Sequence, residues 1–230
     1  MRDAGTGEAS VSQAATRNLT EALIGTGLVA VVVIDRVSDA APLAKTLVAA
    51  GLPLVEVTLR TPEALASLRA MADTPGAVVG AGTVLTPAQV AAAVAAGARY
   101  VVSPGLSAAV VRECAALGVP CVPGVATATE IQRALEHGLD VVKLFPADVC
   151  GGPAMIRALS APFSDVRFVP TGGITAASLP DYLALPSVLA VGGSWMAPRS
   201  LVAEGDLAGV AELSRDAATL ARAARAGVSR

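Results

Sequence analysis

The amino-acid sequence predicts an α/β protein, a (β/α)8 TIM barrel with an extra helix at its N-terminus. Eight short runs rich in Val, Leu and Ile alternate with eight helical stretches rich in Ala and Leu. Strands that are apolar almost throughout indicate, in such an alternation, a parallel sheet covered by helices. Eight units are the number found in a (β/α)8 barrel. No GxGxxG turn follows the first run, which argues against the alternative of an open doubly wound sheet.

The predicted strands follow one another at regular intervals along the chain. Each is a short β-branched run that is followed by a turn residue and then by an amphipathic stretch. A helical stretch over residues 10–26 precedes the first run and supplies the extra helix. The eight runs cover residues 28–34, 53–59, 77–83, 99–103, 119–123, 140–145, 167–171 and 187–192.

The predicted helices carry start and stop signals in their sequences. A Ser or Thr hydroxyl at the start can accept a hydrogen bond from an N–H of the first turn. A Gly at the end can adopt the left-handed conformation that closes a helix. The start residues are Ser38, Thr61, Thr86, Ser107, Thr127 and Thr175, and the end residues are Gly51, Gly97, Gly118 and Gly138.

Length and composition predict one domain and exclude several kinds of partner. The first 17 residues are small and polar and are interpreted as a flexible tail, and residues 18–230 as a single domain. The formal charge is −2 and only 3% of the residues are aromatic, so a nucleic-acid partner is not expected. No apolar run is long enough to span a membrane and no signal peptide is recognisable, so we expect a cytoplasmic protein without membrane contact.

Cysteine and histidine usage argues against metal centres and disulfides. Cys114, Cys121 and Cys150 are odd in number and form no CxxC pair, which argues against a disulfide framework or a zinc–cysteine site. His137 is the only histidine, so a multi-histidine metal site cannot form. We interpret His137 as an ordinary residue at a helix end, and Cys114 and Cys121 as small residues of the core.

Three charged residues are predicted late in strands or directly after them, near the strand ends where the active sites of barrels lie. Lys143, one of two lysines in the chain, lies late in the sixth strand, and Glu56 and Arg60 share one face of the second. Burying an ammonium is costly unless it is paired or neutral. One interpretation is structural, with each charge neutralised by a neighbour. The other is an amine that attacks a carbonyl, with Glu56 as base and Arg60 as anion clamp.

Two glycine pairs follow the last two predicted strands. Gly172 and Gly173 come after the seventh strand, and a second pair comes after the eighth, directly before Ser194. Loops at these positions of the fold often bind a phosphate through backbone N–H groups, and glycine lets the backbone approach the anion. Tight turns without a ligand are the alternative. Thr83 ends the third strand and offers a hydroxyl donor.

Six motifs together resemble the 2-keto-3-deoxy-6-phosphogluconate aldolase family, whose members also act on 4-hydroxy-2-oxoglutarate. The motifs occur in the family's order over about residues 20–220, so the resemblance covers almost the whole predicted domain. Each motif alone is unspecific, and the combination is highly specific. They are EVTLRT at 56–61, VGAGTVLTP at 79–87, SPGL at 103–106, KLFPA at 143–147, PTGGI at 170–174 and GGSW at 192–195.

The resemblance implies a role for each matching residue. Lys143 corresponds to the Schiff-base lysine, Glu56 to the general acid and base, and Phe145 to the ring beside the lysine. Arg60 and Thr83 correspond to the residues that hold the substrate carboxylate. The positions that correspond to phosphate-binding residues are Gly172, Gly173 and Ser194.

The resemblance also implies a reaction. It implies a class I aldolase that cleaves 2-dehydro-3-deoxy-6-phosphogluconate to pyruvate and glyceraldehyde 3-phosphate, as a homotrimer without a metal or organic cofactor. This reaction belongs to the Entner–Doudoroff pathway of carbohydrate metabolism. The alternatives are a non-covalent phosphosugar isomerase or transferase on the same barrel, and a non-catalytic barrel that binds a sugar phosphate. The sequence leaves the stereochemical preference, gluconate or galactonate type, open.

Overall fold

Strands and helices alternate along the chain from the first strand onward. The computed structural model describes residues 5–227. The strands are β1 (Leu28–Val32), β2 (Leu54–Thr58), β3 (Val78–Gly82), β4 (Val101–Val102), β5 (Cys121–Val122), β6 (Gly124–Val125), β7 (Val141–Leu144), β8 (Arg167–Phe168) and β9 (Val191–Gly193). The helices are α1 (Gly5–Thr26), α2 (Val37–Ala49), α3 (Ala64–Ala72), α4 (Pro87–Ala95), α5 (Ala108–Ala116), α6 (Ala128–Glu136), α7 (Gly152–Ser160), α8 (Leu179–Leu183), α9 (Arg199–Glu204) and α10 (Leu207–Ala226).

The described strands pair in parallel in two sheets. One sheet has the order β5-β4-β3-β2-β1-β9, and the other has the order β6-β7-β8. Pro123 alone separates β5 from β6, and an isolated parallel bridge joins Thr171 to Gly192. The architecture is therefore α/β, with a curled parallel sheet and helices in the connections between its strands.

The two faces of the strands belong to two hydrophobic clusters. Val55 of β2 belongs to the larger cluster, which the sheet forms with the surrounding helices. Leu54 belongs to a smaller cluster that includes Leu19 and Leu23 of α1. Glu56 lies two positions after Leu54, so the two side chains are on the same face of the strand. Glu56 accordingly lines a small cavity together with Leu19 and Leu23. Glu56 therefore lies on the strand face opposite Val55, as the alternation predicts, and this face is contacted by α1.

All four predicted stop signals and three of the six start signals appear where the sequence places them. Thr86, Ser107 and Thr127 each accept a hydrogen bond from a backbone N–H three residues later, at the starts of α4, α5 and α6. The four predicted end glycines all have positive φ angles, as a left-handed helix end requires. The short-range signals therefore determine these helix boundaries.

The predicted starts at Ser38, Thr61 and Thr175 are wrong. Helix α2 already includes Ser38, and α3 begins three residues after Thr61. The hydroxyl of Thr61 donates instead to the carbonyl oxygen of Ile34 at 2.6 Å, so it ties the loop after β2 to the loop after β1. Thr175 accepts a hydrogen bond from the backbone N–H of Ser178 in a turn that precedes α8. A tertiary contact replaces the cap at Thr61, and a turn contact replaces it at Thr175.

The N-terminal helix begins earlier than the predicted stretch over residues 10–26. Helix α1 covers Gly5–Thr26. Residues 1–4 of the predicted flexible tail lie outside the described residues, and the division of the chain after residue 17 stays a prediction. Among the helices of residues 5–227, none is long and apolar enough to cross a membrane.

Candidate active site

A buried ion pair joins two strands that are far apart in the sequence. Nζ of Lys143 in β7 lies 3.0 Å from Oε1 and 3.4 Å from Oε2 of Glu56 in β2. The side chains are only 7% and 4% exposed. Each charge therefore neutralises the other inside the sheet, and an amine and a carboxylate lie within proton-transfer distance.

Small and apolar residues shape the space around Glu56. A Cβ atom added at Gly82 would overlap the Glu56 carboxylate, so the neighbouring strand must carry glycine there. The buried Tyr100 donates a hydrogen bond to the carbonyl oxygen of Val55 at 2.9 Å. Burial, and then the negative charge of Glu56, raises the pKa of Tyr100 well above its ordinary value. The site is thus a weakly solvated one in which charges interact strongly.

The ring of Phe145 lies beside the lysine. Nζ of Lys143 is 5.3 Å from the centroid of the Phe145 ring, within the range of a cation–π contact. Phe145 directly follows β7, two positions after the lysine. The structure therefore brings the predicted ring, lysine and carboxylate together.

Arg60 and Thr83 meet at the ends of the second and third strands. Nε of Arg60 donates to Oγ1 of Thr83 at 3.3 Å. Thr83 has a φ of 59°, a left-handed conformation that a β-branched residue rarely adopts. Such strained residues are often found at ligand-binding sites, where the conformation aims a side chain. The contact places a guanidinium and a hydroxyl side by side, as an anion site requires.

The predicted glycine loops line a cavity of about 390 Å³ at the same end of the strands. Gly172 and Gly173 have φ angles of 102° and 80°, so two consecutive residues are left-handed and need glycine. A Cβ atom at Gly173 would lie 2.5 Å from Cβ of Asp148. Ser194 and Arg60 also line this cavity. The loops after the last two strand segments therefore form one wall of a single pocket.

The ion pair does not line this larger cavity. Lys143 and Glu56 border a much smaller interior cavity of about 10 Å³, next to Tyr100 and the two leucines of α1. Phe145 lines the larger cavity and also contacts the lysine amine. The structure thus separates the predicted residues into an open pocket and a buried pair, with Phe145 between them.

Two residues of the pocket were missed by the sequence analysis. Thr171 lines the cavity, and its buried hydroxyl has no hydrogen-bond partner among the described residues. Arg199 lines the cavity and pairs with Asp35. Thr171 directly precedes Gly172 at a strand end, which is a usable sequence signal. Arg199 has no comparable signal, because its partner comes from the loop after β1.

The described residues contain no cluster of three or more His, Cys, Asp or Glu side chains that could hold a metal ion. The buried Lys143 amine and Glu56 carboxylate, which lie outside the lining of the larger pocket, supply a nucleophile and a base. The anion-binding capacity comes from two arginines, hydroxyls and backbone N–H groups.

The sequence is similar to a known family over most of its length. A family model described as KDPG and KHG aldolase matches residues 19–213. The 2-dehydro-3-deoxy-phosphogluconate aldolase of Treponema pallidum is 50% identical over 198 residues, which cover 85% of this chain and 93% of that protein.

Solved structures of similar sequence have the same fold. The 2-keto-3-deoxy-6-phosphogluconate aldolase of Zymomonas mobilis with 3-phosphoglycerate has a TM-score of 0.84 and 42% identity, covering 89% of this chain and 97% of that one. The KDPG aldolase of Legionella pneumophila, with pyruvate captured as a covalent carbinolamine intermediate, has a TM-score of 0.82 and 39% identity. It covers 85% of this chain and 96% of that one.

Proposed function

Because the chain belongs to the KDPG and KHG aldolase family, we propose that Lys143 is the residue through which it cleaves 2-dehydro-3-deoxy-6-phosphogluconate. The products are pyruvate and glyceraldehyde 3-phosphate, and the enzyme is a carbon–carbon lyase of carbohydrate metabolism. The observation that carries the proposal is the 3.0 Å contact between the buried Lys143 amine and the Glu56 carboxylate. A nucleophile with a base in hydrogen-bond reach is the arrangement that covalent catalysis needs.

In the first half of the reaction, the amine of Lys143 becomes bonded to C2 of the substrate. Glu56 accepts a proton from the ammonium, so that the nitrogen lone pair can attack the C2 ketone. The carbonyl oxygen takes up a proton to give a carbinolamine, and loss of water then leaves a cationic imine. Phe145 beside Nζ provides a ring face that favours the cationic form.

In the second half, the imine accepts the electrons of the bond that breaks. Glu56 takes the proton of the C4 hydroxyl, the C3–C4 bond breaks, and the aldehyde product leaves. The electron pair passes into the imine and gives an enamine on Lys143. Protonation at C3 by Glu56 and hydrolysis of the imine then release pyruvate and restore the amine.

The two ends of the substrate are recognised by different parts of the pocket. We propose that Arg60 and Thr83 hold the carboxylate next to the reacting ketone, since their side chains meet at 3.3 Å. Backbone N–H groups at Gly172 and Gly173 and the hydroxyl of Ser194 would hold the phosphate. 4-Hydroxy-2-oxoglutarate has the same keto-acid end without a phosphate, so the same site should cleave it.

We further propose that the two sheets form one closed eight-stranded barrel, in which β5 and β6 count as one strand. Backbone hydrogen bonds that continue beyond the sheets support this closure. The N–H of Leu189 donates to Phe168 and that of Gly192 to Pro170, both at 2.9 Å. These bonds link residues 168–170, in the strand segment after α7, to residues 189–192, which lead into β9.

The family resemblance supports a homotrimer, which we propose as the assembly of this chain in the cytoplasm. All three cysteines are unpaired, as is usual in a reducing compartment. Light scattering should then give a mass three times that of the 22.8 kDa chain. A monomeric mass at micromolar concentration would contradict the trimer and leave the catalytic assignment intact.

Borohydride reduction in the presence of pyruvate tests the Schiff base. Lys45 and Lys143 are the two lysines of the chain, and Lys45 is exposed on α2. Mass spectrometry should find the reduced adduct on the peptide that contains Lys143. A Lys45→Arg variant should form the adduct, and a Lys143→Arg variant should not. An adduct on Lys45 contradicts the assignment, and a wild-type protein without any adduct would favour a non-covalent isomerase or transferase.

A further inference from the structure

Arg199 and Asp35 form a fork-shaped ion pair at the rim of the pocket. Arg199 is the first residue of α9, and Asp35 follows β1. Nε of Arg199 donates to Oδ2 of Asp35 at 2.8 Å, and Nη2 donates to Oδ1 at 2.6 Å. Two parallel bonds of this kind fix the orientation of a guanidinium as well as its position.

The fork leaves one edge of the guanidinium without a partner. Within the part of the chain whose side chains the structure describes, Nη1 of Arg199 donates no hydrogen bond. The side chain is 61% exposed and lines the cavity next to Gly173, Gly193 and Ser194. An anion in that cavity would therefore meet an oriented, unused pair of N–H donors.

The charges that line the cavity are all positive among the described residues. Arg60 and Arg199 line it, and no carboxylate does. Arg60 is engaged at Thr83 near the end of β3, whereas Arg199 is held between the ends of β1 and β9. Two separately held cations suit a substrate that carries an anionic group at each end.

We propose that Arg199 is a specificity-determining residue, whose Nη1 edge binds the phosphate of the substrate while Asp35 holds the guanidinium in place. This inference rests on the proposed function, because the phosphate belongs to the same substrate. The carboxylate of Asp35 uses one edge of the guanidinium and partly neutralises it. A phosphate dianion accepts stronger hydrogen bonds from the remaining edge of the guanidinium than a more weakly charged group does. Arg199 therefore favours the phosphorylated substrate over 4-hydroxy-2-oxoglutarate.

A neighbouring arginine provides a matched control. Arg36 forms an ion pair with Asp39 at 2.9 Å and donates to the carbonyl oxygen of Ala203 at 2.7 Å. It is exposed like Arg199 and has the same charge, but it does not line the cavity. Replacing Arg36 removes a positive charge from the same region without removing a donor from the pocket.

The test compares KM for the two substrates in wild type, Arg199→Ala, Arg199→Lys and Arg36→Ala. In Arg199→Ala, KM for the phosphorylated substrate should rise about tenfold, the size of one charge-assisted hydrogen bond at an exposed site. The change for 4-hydroxy-2-oxoglutarate should be much smaller, and kcat for the phosphorylated substrate should change little. Arg199→Lys should recover part of the loss. Arg36→Ala should leave both KM values unchanged.

Equal changes of KM for both substrates, or a normal KM for the phosphorylated one, would overturn the inference. If the proposed function is wrong, wild type will cleave neither substrate, and this result differs from those that overturn the inference. In that case, titration calorimetry with inorganic phosphate decides the inference alone. Weaker phosphate binding by Arg199→Ala than by Arg36→Ala supports it, and equal binding by the two variants overturns it.

Discussion

Nζ of Lys143 and Oε1 of Glu56 lie 3.0 Å apart, although 87 positions separate the two residues in the chain. The structural and the catalytic interpretations of these charges are therefore compatible. The pair neutralises itself in the interior of the free protein, and the same contact supplies a base for the amine. The two interpretations still differ in what they predict when one partner is changed.

The Glu56→Gln variant separates proton transfer from imine chemistry. Gln cannot exchange protons as a carboxylate does, so kcat for cleavage should fall by about 10²–10⁴. Trapping of pyruvate by borohydride should slow but reach completion, because Lys143 remains the nucleophile. Cleavage rates and the thermal midpoint should be measured side by side, with Glu212→Gln at an exposed position of α10 as control. A stable Glu56→Gln protein with near-normal turnover would show that the base is assigned wrongly.

The Lys143→Met variant should be strongly destabilised by the charge that it leaves behind. Removing one partner of a buried ion pair typically costs about 3–5 kcal/mol in the free energy of unfolding, because the other charge is left uncompensated. Glu56 is 3% exposed and would be that charge. Adding Glu56→Gln to Lys143→Met should therefore recover much of the lost stability. Urea denaturation of the two variants measures this. A double variant that is less stable than Lys143→Met would contradict the pairing.

The Gly173→Ala variant should weaken phosphate binding and also strain the loop. A left-handed Ala costs about 1–2 kcal/mol, and its Cβ would lie 2.5 Å from that of Asp148. KM for the phosphorylated substrate should rise about tenfold, as expected for one lost hydrogen bond to a charged group. KM for 4-hydroxy-2-oxoglutarate should change much less.

Gly105→Ala is the control for that experiment, because a Cβ at Gly105 would contact nothing within 4 Å and its φ is not left-handed. Steady-state kinetics of both variants with both substrates provide the measurement. An equal rise in KM for the two substrates in Gly173→Ala would indicate that the loop stabilises the fold rather than binds the phosphate.

Tyr100 should remain un-ionised as long as the protein is folded. Burial, followed by the charge of Glu56, raises the pKa of its phenol well above 10.0. A tyrosine whose pKa is raised in the folded state makes its full contribution to the free energy of unfolding below its unfolded pKa of about 10. This contribution is lost as the pH rises through the folded pKa. Burial and the charge of Asp148 also raise the pKa of Tyr182, the other tyrosine.

An alkaline titration followed at 295 nm and by circular dichroism tests this expectation. Tyrosinate should appear together with unfolding, at a pH above the ordinary midpoint of tyrosine. A Tyr100→Phe variant should lose one titrating group in the unfolded state. Tyrosinate that forms near pH 10 while the dichroism is still native, and that does not form in Tyr100→Phe under the same conditions, would show that the Tyr100 phenol is solvated.

The sequence by itself determined the features that depend on neighbours within a few residues. The alternation in β2 places Glu56 on the face opposite Val55, because successive side chains of any strand point to opposite sides. Thr86 and the residues after it contain a complete helix start, and the structure has the hydrogen bonds of that capping box. The glycine pair at Gly172 marks a left-handed turn for the same local reason.

Only the tertiary structure decided which distant side chains meet. The register of β2 against β1 and β3 places the Glu56 carboxylate where Lys143 of β7 can reach it, and no local pattern encodes that distance. The same is true of Arg199, whose partner Asp35 lies 164 positions away. Thr61 does not cap a helix as predicted, because its hydroxyl donates a hydrogen bond to a neighbouring loop. Turns and helix ends depend on short-range sterics and hydrogen bonds, whereas these contacts depend on how the parallel strands pair across the whole chain.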